Sequence, residues 1–444
     1  MKSSIEIKHA FAGLKQTPGF SITLIFTLTL TLGTLLAAFN INQVMLHKPL
    51  PYPNGEQLYL LQQNYFANGK DNIGGQVEAA QYAMYRESKH LFKSALISQQ
   101  RGILLSAPSK PMLVALYVSD EYFSLLGVQF SQGRALSPAA DINSAEKEAI
   151  LSYQLWQSQF GGKADIIGTS LQYQDQHYRI VGVAKQEIAT PEPFASYGKT
   201  DLYLPMAYSG FDEKKWRGAP RNLNTLVTLK TEQKKQDIMA LLDEIIANKL
   251  ALADDAKLYQ GKQIKSHITL LSDEIIGDSK KITLLIFAGA FALLLIAFAN
   301  VVNLYLSHIA KKQQLLAICA CVGAKPKALF KRLFIESLLL TLSATVFALI
   351  IAAWLLVFTQ HLAEGSLPRL NELHINFITI IFSFIIAVIL AFLLAFSGKF
   401  AVNYNALKEQ LSASGKGNNA QVSNKIRQAL IISQVAITLS LIHI

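Results

Sequence analysis

Few residues in this chain combine the types and spacing that chemistry requires, and each set can be held against the geometry it would need. The one Gly-Lys-Thr in the sequence is Gly198-Lys199-Thr200. A phosphate-binding loop needs a further glycine five residues earlier, where this chain has Pro193, and a strand leading into it, so Gly198 reads as a turn. The nine histidines are scattered. None forms His-Glu-x-x-His, and His47, His177, His267 and His308 have no partners at metal-ligand spacing. Cys319 and Cys321 lack the second pair that a four-ligand site needs, and they read as small apolar filling of a helix. No Gly-x-Ser-x-Gly elbow occurs. The expectation is a non-catalytic chain with no cofactor and no metal, in which any ATP hydrolysis belongs to another protein.

What stands out instead is polarity in apolar surroundings. Glu336, Asn300 and Asn303 lie in runs that are otherwise nearly free of ionisable and amide side chains. Glu336 can reach the interface and pair with Lys331 or Arg332 a turn away, or serve an ion path. Asn300 and Asn303 fit interhelical hydrogen bonds. With so few pathway residues, a substrate tunnel through these runs is not expected.

The elements that hold these residues follow from hydropathy. Hydrophobic residues make up 51% of the 444 and charged ones 16%, a mix of membrane helices with a soluble part. A bilayer core takes about 20 apolar residues per helix, and four runs qualify. Residues 1–19 are expected to form an amphipathic helix on the inner surface and 20–43 the first span. An external domain fills 44–281. The second span is 282–306, a basic elbow 307–332, the third span 333–358, a short outer loop 359–374 and the fourth span 375–398. A polar linker, 399–428, leads into 429–444, which starts a fifth span or a second copy of the unit and stops short of spanning length. Lysines and arginines crowd the N-terminus, the elbow and the linker, while the outer loop has Arg369 against Glu364 and Glu372. That bias puts the first three in the cytoplasm. It also accounts for the net charge of +11 through anionic lipid, without nucleic acid.

The external domain reads as α/β. Strand signals at 58–62, 95–105 and 112–119 with a helix at 77–89 form one half (about 56–119). Strands at 223–230 and 264–271 with a helix at 233–250 form its mate (about 220–275). Antiparallel or mixed sheet with helices on one face suits them. Residues 120–219, with short strands at 149–151, 170–173, 177–183 and 201–204, are expected to be an inserted subdomain. The fold class is therefore an α-helical membrane domain, four transmembrane helices plus an incomplete fifth, with a large α/β domain between the first and second.

In the elbow, Leu315, Leu316, Ile318, Cys319 and Val322 recur at helical spacing, Gly323 fits a stop, and Lys325-Pro326 fits the next helix start. By spacing alone this is either a coupling elbow or an interfacial helix held to lipid by lysines.

Several long segments resemble the MacB/FtsX-like permeases, close to the duplicated-permease branch. They are Gln16-Thr17-Pro18-Gly19-Phe20, His47-Lys48-Pro49-Leu50-Pro51-Tyr52-Pro53, VSDEYFSLLGVQFSQGRAL (118–136), ILSYQLWQSQFGG (150–162), YRIVGV (178–183) and the stretch 298–340. The resemblance implies an ABC transporter permease of the inner membrane, with a periplasmic domain of two porter-like halves and an insert. It implies mechanotransmission: a cytoplasmic ABC ATPase docks on Ala317, Ile318, Val322, Gly323, Ala324, Lys325, Pro326 and Lys327, and its motion crosses the membrane to export a peptide, lipid or toxic compound. A second permease unit or copy, a periplasmic fusion protein and membrane lipids are the implied partners. The alternative is a regulatory membrane protein whose periplasmic domain activates a cell-envelope enzyme without transport. Lys311, Lys312, Gln313 and Gln314 depart from the family's arginine-rich lead-in, as does Ile318-Cys319-Ala320.

Overall fold

The computed structural model describes residues 14–67, 70–72, 76–107, 109–139, 142–185, 199–217, 223–229, 234–259, 262–277, 279–312, 326–363, 367 and 369–401, with 432 and 436. Most of the expected leading helix, Gly198, both cysteines, 313–325 of the elbow, most of the linker and nearly all of 429–444 lie outside the described residues.

The first element is α1 (Pro18–Leu46), followed by β1 (Leu58–Ala67), β2 (Lys70–Asn72), α2 (Glu78–Glu87), β3 (Lys93–Ile103), β4 (Met112–Val118) and α3 (Glu121–Leu125). Next come β5 (Phe130–Gly133), β6 (Glu148–Leu151), α4 (Tyr153–Phe160), β7 (Ser170–Tyr173), β8 (Gln176–Ala184), β9 (Leu202–Pro205) and β10 (Leu223–Thr228). The chain continues through α5 (Lys235–Ala251), β11 (Lys262–Leu270), α6 (Leu271–Ile276), α7 (Ser279–Lys311), α8 (Pro326–Leu362) and α9 (Phe377–Ala401). Two compact units result: Met1–Lys48 with Asp278–Ile444, and Pro49–Gly277.

In the first unit, α1, α7, α8 and α9 are long and apolar enough to cross a membrane. Prolines open α1 and α8, where a missing amide hydrogen costs nothing. At 1.5 Å per residue α8 runs for about 55 Å, well beyond a hydrocarbon core of about 30 Å, so its ends extend past the span read from hydropathy. Helix α1 packs on both α7 and α8. Leu24, Leu28, Leu35 and Leu36 of α1 are fully buried, as are Ala344, Ala348 and Ala352 of α8. Alanines one turn apart let the backbones close up, and packing of this kind drives helix association where lipid removes the hydrophobic force. The opposite face of α8 exposes Phe347, Ile350, Trp354 and Phe358, as a lipid-facing surface should.

The second unit is built on one sheet in the order β11-β1-β10-β3-β4-β9-β6-β8-β5, with β2 on β1 and β7 on β8. The sheet is mixed, β4–β9 and β6–β8 being parallel. Strand β1 lies between β10 and β11, so the early half of the domain closes on strands made 164 to 211 residues later. Through β4–β9 the hydrogen-bonded ladder continues without a break into the segment expected to be a separate insert.

Helices cover both faces of this sheet rather than the one face expected. On one side α2 and α5 pack over Leu61, Val227, Ile264 and Ile268. On the other, Tyr122 and Phe123 of α3 and Leu271 and Ile275 of α6 cover Leu58, Leu60, Ala95 and Ile97. The cause is legible in the strands, where consecutive residues of β3 are buried rather than alternate ones, the mark of a strand buried on both sides.

The long motifs meet in space. Gly127, at φ +62°, brings its segment against Pro53, where a Cβ would lie 2.4 Å from the proline ring. Gly133, at φ +73°, crosses β8 so closely that a Cβ would lie 2.1 Å from the Val181 carbonyl oxygen. A side chain at Gly133 would face both a backbone clash and left-handed strain.

Candidate functional site

Of the residues assigned to ATPase coupling, Ala317, Ile318, Val322, Gly323, Ala324 and Lys325 lie outside the described residues, while Pro326 and Lys327 open α8. The structure therefore describes the two roots of the elbow: the end of α7 through Lys312, and the first turns of α8.

A buried polar cluster ties these roots together. Glu336, on α8, is 5% exposed. Lys312 Nζ donates to its Oε1 at 2.7 Å, and His308 Nε2 lies 3.2 Å from the same oxygen. Where the sequence offered Lys331 or Arg332 as partners, the fold brings in two residues of α7. They stand one helical turn apart, so both reach the same carboxylate. The His308 ring stacks on Phe20 of α1 with centroids 4.0 Å apart and planes within 3°. One turn before His308, Tyr305 is fully buried, accepts from Ser337 Oγ at 2.9 Å and donates to the Leu333 carbonyl at 3.4 Å. Three helices are thus fixed to one another beside the elbow.

Asn300 stands on the exposed side of α7 and Asn303 is half-buried. Sequence reasoning passed over the part that His308, Lys312, Tyr305 and Phe20 play here. A signal was available: an acid buried in a span needs a basic or hydrogen-bonding partner at its own depth, and His308 and Lys312 are four residues apart at the same end of the neighbouring run.

At the outer end of the membrane unit, Asn40 Nδ2 donates to the His374 carbonyl and to Thr379 Oγ1, both at 2.9 Å, and Asn376 Nδ2 donates to Gln43 Oε1 at 2.8 Å. Glu372 in the outer loop is half-buried; burial would raise its carboxyl, but Arg369 and Lys48 outweigh burial and hold it below the usual range.

In the external unit a cavity of about 270 Å³ lies among α2, the start of α3 and the β5–β6 connection, with Tyr82, Arg86, Lys89 and Glu146 among its lining. Much of the charge around it is matched locally. Lys89 donates to Glu121 at 2.8 Å, and Glu146 lies 3.2 Å from Arg179. Glu148, 1% exposed, takes Arg134 at 2.6 Å, Arg179 at 3.1 Å and the Ser137 amide at 2.8 Å. Burial pushes its carboxyl up, and Arg134 with the Ser137 amide pulls it below the ordinary range. This is a staple between strands. Among the described residues no group of His, Cys, Asp and Glu is placed to hold a metal ion.

Two family models match the chain in succession, the first of them taking in most of α1 and most of the external unit. The MacB-like periplasmic core domain matches residues 21–245, and the FtsX-like permease C-terminal domain matches 287–410. Among solved structures, a domain of a putative permease from Porphyromonas gingivalis is 15% identical, covering 50% of this chain and 92% of that one, at a TM-score of 0.38. The periplasmic region of MacB from Actinobacillus actinomycetemcomitans is 16% identical over 52% of this chain and 93% of its own, at 0.34. The extracellular domain of the noncanonic ABC-type transporter YknZ from Gram-positive bacteria is 14% identical over 47% and 98%, at 0.32. No curated protein matches the chain. The core-domain match spans half the sequence, and the permease match takes in α8, α9 and the polar cluster beside the elbow: the chain belongs to the MacB/FtsX-like family of ABC transporter permeases.

Proposed function

We propose that this chain is the non-catalytic permease subunit of an inner-membrane transporter, with its N-terminus and elbow in the cytoplasm and its large domain in the periplasm. A separate ATPase closes on ATP and presses the elbow at 317–327. The spans tilt, and the periplasmic domain changes its contacts so that a peptide, lipid or toxic compound is exported. The observation that carries this reading is the Lys312–Glu336–His308 cluster. It fastens the two roots of the elbow to each other and, through Phe20, to α1, so a push on the elbow displaces helices rather than bending a loop. The lysines between the second and third spans, set against the lysine-free loop after the third, support the orientation.

The test is crosslinking in cells from cysteines placed at Ala324 and Lys327, in a chain whose Cys319 and Cys321 are replaced by serine. Capture of an ABC ATPase is the expected result. Recovery of lipid adducts alone would remove the coupling role and leave an interfacial helix.

A further inference from the structure

We infer that Arg369 is the positioning residue through which movement of the α8–α9 hairpin reaches the external unit, an inference that rests on the function proposed above. Lys48 is the last residue of the membrane unit, and Pro49 opens the external one. Arg369, in the outer loop, is 6% exposed; it holds the Lys48 main chain, and its partner Glu372 holds the Lys48 side chain. Arg369 Nη1 donates to the Lys48 carbonyl at 2.8 Å. Its Nε and Nη2 donate to the two oxygens of Glu372 at 2.8 and 2.9 Å, and Lys48 Nζ lies 3.0 Å from the same carboxylate.

A planar guanidinium making a two-pronged bond has little freedom left, so the third bond to the main chain is fixed in direction as well as length. The Arg369 backbone sits at φ +56°, a left-handed conformation that a non-glycine residue adopts only where its surroundings hold it. Gln360 Nε2 adds bonds from the end of α8 to the Leu370 and Leu373 carbonyls, at 3.1 and 2.8 Å, which tie this loop to the helix. Beyond Lys48, Pro49, Pro51 and Pro53 stiffen the exit and limit how much displacement the chain can absorb. Helix α8 is therefore anchored to α7 by Glu336 at its inner end and to the exit of α1 by Arg369 at its outer end. A continuous rigid element between two anchors is a physical route for coupling.

Hydrogen exchange of the full chain in lipid nanodiscs tests this without any ATPase, so its outcome is independent of the crosslinking result. Glu336→Gln loosens the inner anchor, and exchange in the segment 45–62 is expected to speed up by about fivefold or more, the lower end of ordinary coupling between sites. In an Arg369→Gln background the same Glu336→Gln change is expected to leave that segment within about twofold, because the joint has already been opened. Arg369→Lys keeps the charge but can serve only one of the two acceptors at a time, so it should give an intermediate response and also guards against a misfolded glutamine variant. The inference is overturned if segment 45–62 ignores Glu336→Gln in the wild-type background, or if it responds equally with Arg369 intact and replaced. A merely structural arginine would change basal exchange and leave the response to Glu336→Gln intact.

Discussion

Glu336 in the membrane unit and Glu148 in the external unit are both buried carboxylates with two basic side chains as partners, and they differ in where those partners end. Arg134 and Arg179 leave about half of their side chains in solvent (51% and 55%), so Glu148 is a shielded acid whose countercharge stays wet. His308 is as closed in as Glu336 itself, and Lys312 keeps 26% of its side chain exposed. When a wet pair is broken, the arginines return to water at little cost. When a closed pair is broken, whichever group remains has nowhere to go. A buried ion pair can thus act as a strand staple in one region and as a pin between helices in another, with solvent access deciding between them.

Three measurements separate the closed pair from the wet one. Glu336→Ala leaves Lys312 and His308 without their acceptor, and removing one partner of a buried pair costs on the order of 3–5 kcal/mol. Unfolding in nanodiscs should show a loss of that size, and adding Lys312→Gln should return part of it. Glu148→Gln keeps the shape and one acceptor oxygen and lets both arginines hydrate, so a loss of about 1–3 kcal/mol is expected. Equal losses at the two sites would end the distinction drawn above. The smallest effect is acid sensitivity. Glu148 and Glu372 both have folded-state values below the ordinary 4.5, so their stabilisation is complete above about that pH and is lost as the pH falls through the lowered values. A melting curve taken on acidification should steepen below pH about 4.5, and Glu148→Gln should flatten it.

Much of this architecture was legible in the residues. The apolar runs place four spans because backbone groups in lipid must be satisfied within each helix, which makes length and hydropathy sufficient evidence. The strand signals at 58–62, 112–119 and 170–173 fall on β1, β4 and β7 because alternating and β-branched content acts locally. The short α3, α4 and β5 were not singled out, since helices of five to eight residues and a strand of four carry too few positions for a period to show. The helix-on-one-face reading failed because the two faces of β3 are both apolar, and nothing within one strand says which helix will cover each. At the candidate site Glu336 was visible as the lone acid in a span, but its partners were sought one turn away on its own helix. His308 was weighed only as a metal ligand.

The residues alone fix the spans, the α/β character of the large domain, and the order of motifs that marks the family. All of these depend on residues close together in the chain. It takes the packed units to show that Glu336 draws its basic partners from α7, 24 and 28 residues away, that Gly133 closes on β8, and that Arg369 reaches back 321 residues to the Lys48 carbonyl. Such pairings are selected by which helices and strands pack together. A single buried carboxylate or guanidinium requires a partner without specifying which one, and the packing of the whole unit makes that choice.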